Sequence, residues 1–306
     1  ESLAKNAVEQ YCGLPVVGAV PKLKQNIFPE RHMGLVPHLE SDYAKKAIAW
    51  AKDIAEKHLD LKALWNLAHE APPLDYPPEG KKEESGLVLP ESPPRIGVIR
   101  DKSFWFYYPE NLDQMKKLGA HLVEINSLED RELPAIDALY IGGGFPETQA
   151  QALADNVTFR ASLKERIEEG LPVYAECGGL MVLGKALVVD GKEFPMVGAL
   201  PLSLVLEKKP QGHGYTILEV KERNPFYSIG EKLKGHEFHY SKAVLHPSDD
   251  TRAVFKVLRG EGIDGQKDGL CRKNMLATYT HIHAGGNPEW ARRFLRVAVS
   301  SRERNF

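Results

Sequence analysis

Cys177 stands where an apolar run, Leu171-Pro172-Val173-Tyr174-Ala175, meets Gly178-Gly179-Leu180. A thiol on a sharp strand-to-helix turn is presented at the edge of a sheet, and small neighbours are needed where the backbone crowds. The partial positive charge of the following helix terminus favours thiolate, which is the nucleophilic form. A lone cysteine is more often a small core residue; the strand, the glycine pair and the helix together favour a nucleophile.

Two further segments supply what such a nucleophile needs. Gly142-Gly143-Gly144 follows the apolar run Ala138–Ile141. Backbone amides freed by these glycines, with that of Gly178, are expected to hold the oxyanion formed when a thiolate attacks a carbonyl. A phosphate loop would also end a strand in glycines, but no GxGxxG is present. His281 and His283 close the run Met275–Tyr279, and one of them is the expected general base. Alternation along a strand puts both imidazoles on one face, so spacing leaves that choice open.

Gly235-His236-Glu237-Phe238-His239-Tyr240-Ser241 crowds polar and aromatic residues at strand spacing. Its two histidines have no third ligand at a fixed spacing, so no metal site is expected. Substrate contact or a satisfied hydrogen-bond network is the reading for His236, Glu237, His239 and His283. Gly179–Ala186 fits GxxxxGK but ends in Ala, where a P-loop has a hydroxyl for magnesium, and its amides fall inside the helix behind Cys177.

The elements that position these residues alternate strand and helix. Ile96–Ile99, His121–Ile125, Ala138–Ile141 and Leu171–Ala175 read as strands, with a helix from Pro109 to about Leu118 and another stretch reaching Glu169. This is the pattern of a doubly wound parallel sheet, whose ligands bind beyond the carboxyl ends of its strands. From Met196 to Leu276 the pattern loosens into short β-like runs, and Asn287-Pro288 is expected to open a final helix. Upstream, Leu14–Pro21 reads as a buried strand and Ser41 as the cap of a helix. Prolines crowd between Glu70 and Arg95, which reads as an extended linker over 71–94.

With 306 residues the chain is long enough for two units. Charged residues make up 27% and the net charge is -2, which removes the electrostatic case for nucleic acid or anionic membrane as main partner. No apolar run approaches the roughly 20 residues that span a bilayer. Three scattered cysteines point to a reduced, cytoplasmic setting.

Taken in order, Tyr107–Leu112, Leu139–Glu147, Ala175–Met181, Gly235–Ser241 and Tyr279–His283 resemble the cobyrinic acid a,c-diamide synthases, ATP- and glutamine-dependent amidotransferases of corrinoid synthesis. The likeness covers nearly all of 95–306. Val16–Pro21 and Pro29–Pro37 are similar to the end of that family's ATP-binding domain. The resemblance implies an α/β, flavodoxin-like glutaminase domain over 95–306 with an additional β-rich C-terminal part, preceded over 1–70 by the tail of a P-loop-type α/β domain. It implies Cys177 as nucleophile and His281, the first of its pair, as base. Where the common glutaminase triad has Glu two residues after its His, this chain has His283, so a Cys-His dyad is expected and the imidazole's orienting group is open.

The implied reaction is amidation of macrocycle acetates with ammonia from glutamine, this chain carrying the ammonia-producing part. ATP and Mg2+ would serve the full-length enzyme, whose P-loop is expected before residue 1. Hydrogenobyrinic acid, sirohydrochlorin and sirohaem are alternative macrocycles. Another acyl hydrolase or a non-catalytic glutaminase-like module are alternative functions, and a homodimer is carried as an expectation only.

Overall fold

The computed structural model describes residues 2–23, 30–31, 34–35, 43–74 and 92–304. The chain divides into two compact units, Glu1–Glu84 and Ser85–Phe306. The first contains α1 (Ser2–Cys12), a short antiparallel pair β1 (Glu30–Arg31) and β2 (Gly34–Leu35), α2 (Ala44–His58) and α3 (Leu61–Glu70). Asp60 caps α3 by accepting from Ala63 N at 2.9 Å. Leu14–Pro21 is not the expected buried strand: Val20 is 50% exposed, and the segment's one ladder contact is a bridge from Gly18 to Leu59. Pro15 and Pro21 lack the N–H that a ladder needs. Ser41 and residues 75–91 of the expected linker lie outside the described residues.

The second unit is built on a ten-stranded sheet. In chain order it comprises β3 (Arg95–Ile99), β4 (Phe104–Phe106), α4 (Pro109–Lys117), β5 (His121–Ile125), β6 (Ala138–Ile141), β7 (Gly143–Gly144), α5 (Ala150–Asp155), α6 (Val157–Glu168), β8 (Val173–Glu176) and α7 (Gly178–Leu183). There follow β9 (Ala186–Val189), β10 (Lys192–Pro195), β11 (Leu202–Leu206), β12 (Gly212–Val220), β13 (Lys232–His239), β14 (Ser241–Leu245), β15 (Arg252–Arg259), β16 (Lys267–Arg272), β17 (Met275–Thr278), β18 (His281–Ile282) and α8 (Trp290–Arg304). The spatial order is β18-β13-β12-β15-β16-β17-β8-β6-β3-β5. From β17 to β5 all pairs are parallel, and from β17 to β18 all are antiparallel.

That order has a geometric consequence. β17 and β18 are two residues apart in the chain yet sit at opposite ends of a six-strand array, so the array must curl back on itself. The β-rich C-terminal part therefore continues the parallel sheet rather than standing beside it. A second sheet, β10-β9-β11-β14, is started by the strands that follow α7 and completed by β14, which the chain enters on leaving β13 at Tyr240.

Period-two alternation feeds two cores, one on each face. Leu139, Ile141, Val173, Ala175 and Ala277 point to one, with Phe159, Leu163 and Ile167 of α6 and the apolar residues of α7. Tyr140, Tyr174 and Leu276 point to the other, with Met115 of α4 and Trp290, Phe294 and Leu295 of α8. The stretch expected as one helix to Glu169 breaks at Asn156, whose side chain accepts from Phe159 N and caps α6. Asn287 does not cap α8. Its side chain brackets the backbone of Lys234 instead, donating to the carbonyl at 2.8 Å, and the helix begins at Trp290.

The helix after Cys177 packs directly on β6. A Cβ at Gly179 would lie 2.6 Å from the Ile141 carbonyl oxygen. Gly179→Ala is expected to destabilise the unit by about 3 kcal/mol, the upper range for forcing atoms into a packed core, read as a fall in Tm of roughly 5–10 °C by calorimetry. An unchanged Tm would mean that this close approach does not exist in solution.

Candidate active site

β8 is buried along its whole length, with β6 on one side and β17 on the other. Cys177 ends it. Its amide continues the ladder to Thr278 O at 2.8 Å, while its carbonyl accepts from Met181 N at 3.0 Å and starts α7. Serving both elements at once forces φ to 48°, a left-handed conformation that costs a side-chain-bearing residue about 1–3 kcal/mol. Strain of this size persists only where the surroundings over-determine it. Cys177 is 6% exposed, and its sulfur lies 3.9 Å from the Phe238 carbonyl oxygen.

His281 arrives from β17 through Tyr279-Thr280. Asp268 shapes that bend, accepting from Thr278 Oγ1 at 2.7 Å, Tyr279 N at 3.1 Å, and both N and Oγ1 of Thr280 at 3.3 and 3.2 Å. Its burial pushes the carboxyl's pKa up, and the hydroxyl and amide donors pull against that. Asn111 of α4 ties down the other end, donating to Ile282 O and accepting from Ala284 N, both at 2.7 Å. His281 is 4% exposed.

The carboxylate facing its ring is Glu176, the residue before Cys177, which sequence reasoning passed over. Glu176 Oε2 lies 3.7 Å from His281 Nδ1. This is longer than a hydrogen bond, so the carboxylate acts as a close charge. Glu176 is 1% exposed, and its carboxylate is held by Ile282 N and the Tyr140 hydroxyl, each at 3.1 Å. With Nδ1 facing Glu176, Nε2 is left for Cys177. Burial pulls the imidazole's pKa down, but contact with Cys177 and Glu176 more than reverses this and pushes it up to about 10. The site thus holds an imidazolium between a sulfur and a carboxylate. One signal was available: Glu176 is the only charged residue in an otherwise apolar strand, on the same face as Tyr174.

The glycine loop is pinned from outside. β7 pairs with β4, Phe104 opposite Gly144 and Phe106 opposite Gly143. The Gly142 amide donates to the Tyr107 hydroxyl at 2.9 Å, and that hydroxyl donates to Ile99 O. Gly142 is therefore committed, which narrows the expected oxyanion donors to Gly143, Gly144 and Gly178. These come together: a Cβ on Gly178 would sit 3.1 Å from Gly144 N, and one on Gly143 would sit 2.4 Å from His281 Cε1.

The remaining polar residues separate by strand face. His236 lies opposite His281 in the β13–β18 ladder, its Nδ1 3.0 Å from the Tyr108 hydroxyl. Glu237 and His239 point the other way. Glu237 accepts from the amides of Glu261 and Gly262 at 2.6 and 2.9 Å, and His239 stacks on Tyr279 at 3.6 Å. His-x-x-His on a strand necessarily splits in this manner. His283 is outside the pocket, half-exposed, 3.6 Å from Glu110 and against the Tyr108 ring. Among the described residues no group of three His, Cys, Asp or Glu could hold a metal ion, and no helix is long and apolar enough to cross a membrane.

Known proteins share this arrangement of sequence and fold. A cobyrinate a,c-diamide synthase of Magnetococcus marinus is 40% identical over 95% of this chain and 62% of its own length. One from Archaeoglobus fulgidus is 41% identical over 97% of this chain and 63% of its own. The chain thus spans somewhat under two thirds of the length of these relatives. Among solved structures, PurLQS from Thermotoga maritima overlays 68% of this chain on 99% of its matched chain, with a TM-score of 0.51 at 16% identity, a likeness of fold. Residues 95–289 match the model of the CobB/CobQ-like glutamine amidotransferase domain, and the chain belongs to that family.

Proposed function

We propose that this chain is the glutamine-hydrolysing, ammonia-producing part of an enzyme that amidates acetate side chains of cobyrinic acid. The observation that carries the glutaminase reading is the buried set Cys177, His281 and Glu176 beside the amides of Gly143, Gly144 and Gly178. The Cys177 thiolate attacks the carboxamide carbon of glutamine, and the three glycine amides hold the resulting oxyanion. The His281 imidazolium gives its Nε2 proton to the departing nitrogen, the C–N bond breaks, and ammonia leaves a glutamyl thioester. Neutral His281 then takes a proton from water, whose oxygen attacks the thioester. The C–S bond breaks, glutamate departs, and thiolate and imidazolium are restored. Glu176 keeps Nδ1 protonated throughout.

The corrinoid comes from the names of the relatives, and hydrogenobyrinic acid or a sirohydrochlorin derivative would offer similar acetates. Residues 1–70 are proposed as the tail of an ATP-binding domain and the setting as cytoplasmic. Among the described residues the GxxxxGK stretch does not fit ATP and Mg2+: its Gly184 and Lys185 amides are bonded to Met181 O and Leu202 O, so nothing there cradles phosphate. No step is assigned to them.

A glutamine-derived diazoketone tests the reading. One adduct on Cys177, located by mass spectrometry and prevented by excess glutamine, is expected. An adduct confined to exposed Cys12 or buried Cys271, or no adduct together with no glutamate release, would leave a non-catalytic module as the function.

A further inference from the structure

One wall of the His281 pocket takes no part in the steps above. The His236 ring lies nearly parallel to that of His281, centroids 4.9 Å apart at an interplanar angle of 19°. The Tyr108 hydroxyl holds His236 at Nδ1. Phe106 stands edge-on to both, 5.0 Å from His281 and 6.0 Å from His236. Burial, and next the charge on His281, push the His236 pKa down to about 4, so at neutral pH an uncharged ring faces an imidazolium. That contact is attractive in the manner of a cation over a π face, where two charged rings would repel.

We propose that His236, held by Tyr108, is a positioning residue: its flat ring fixes the plane in which His281 delivers a proton to the departing ammonia. The proposal rests on the glutaminase reading and adds to it a part for the Gly235–Ser241 segment. The physical argument separates two demands on His281. A sulfur that attacks as thiolate needs a positive charge nearby, and a charge is little affected by rotation of its ring. Handing a proton to a departing nitrogen needs the N–H aimed within roughly 10–20°. Loss of the wall should therefore damage the second task and spare the first.

The test uses the full chain and the variants His236→Ala, His236→Phe and Tyr108→Phe. Glutamate release gives kcat and KM, and iodoacetamide alkylation of Cys177, followed by mass spectrometry, reports the thiolate. His236→Ala is expected to lower kcat about tenfold or more, the scale of a sub-ångström to ångström misplacement, with KM and alkylation rate changed less than about twofold. His236→Phe keeps a flat uncharged ring and should return kcat to within about threefold of wild type. Tyr108→Phe, which removes one hydroxyl, should cost about threefold in kcat and leave alkylation unchanged. Wild-type kcat in His236→Ala or Tyr108→Phe overturns the proposal. So does a His236→Phe as slow as His236→Ala, which would make His236 a polar contact to glutamine, or alkylation that slows in step with kcat. Wild type releasing no glutamate and forming no Cys177 adduct would instead sink the glutaminase reading itself.

Discussion

Cys177→Ala and His281→Ala are each expected to reduce glutamine hydrolysis by about 10⁴-fold or more, and the double variant by little beyond the worse single one. The reason is that they act as one unit. Without the sulfur, His281 has no thioester to resolve; without the imidazolium, the sulfur has no cationic partner and the departing nitrogen no proton. A nucleophile and base that work in sequence cannot each contribute an independent factor. Glutamate release measured for the three variants decides it. Losses that multiply in the double variant would mean that the two residues serve separate steps, and an active single variant would remove that residue from the reaction. His283→Ala is the control, since it stands outside the pocket against Glu110, and it should keep near-wild-type kcat.

The second large effect belongs to Glu176→Gln, a change of charge with almost no change of shape. Loss of a carboxylate that orients a catalytic imidazole costs between about 10² and 10⁴ in kcat. The same variant makes a prediction about pH. The His281 pKa is raised from an ordinary value of 6.5 to about 10 by Cys177 and Glu176 acting against burial. A group raised on folding contributes stability that is fully present below its unfolded value and is lost as pH climbs through the folded value. Wild type should therefore lose this contribution between pH 6.5 and about 10. In Glu176→Gln the carboxylate charge is gone, so the His281 midpoint moves down; the loss still begins near pH 6.5 but is smaller and complete at lower pH. An NMR titration of the His281 Cε1 proton reads the midpoint directly. An unmoved midpoint would show that the carboxylate, 3.7 Å away, does not act on the ring.

How much of this was legible depends on how far each signal reaches along the chain. The Cys177 turn needs only β8, two glycines and α7, all within about ten residues, and so it reads from sequence. The glycine loop after β6 is equally local. The committed Gly142 amide is not, because it is spent on Tyr107, 35 positions earlier. His281 and His283 are indistinguishable by spacing. They separate because β18 pairs with β13 for only two residues, which turns the first imidazole inward and leaves the second at the surface. Asn287 misled for a related reason: its side chain is a good helix cap, but the Lys234 backbone competes for it.

By itself, then, the order of residues pointed to Cys177 as nucleophile and determined its glycine-rich neighbours and the alternation that builds a parallel sheet, since each is written in contacts between near neighbours. The choice of His281 over His283 came from family likeness rather than from spacing; the tertiary structure makes its contact with the sulfur, and it alone decided which carboxylate faces that imidazole and which ring lies against it. Those three contacts exist because the six-strand array from β17 to β18 curls until its far edge returns to the strand beside Cys177. Curvature accumulates over many strand pairs, each adding a small twist, and no short window of sequence contains the sum.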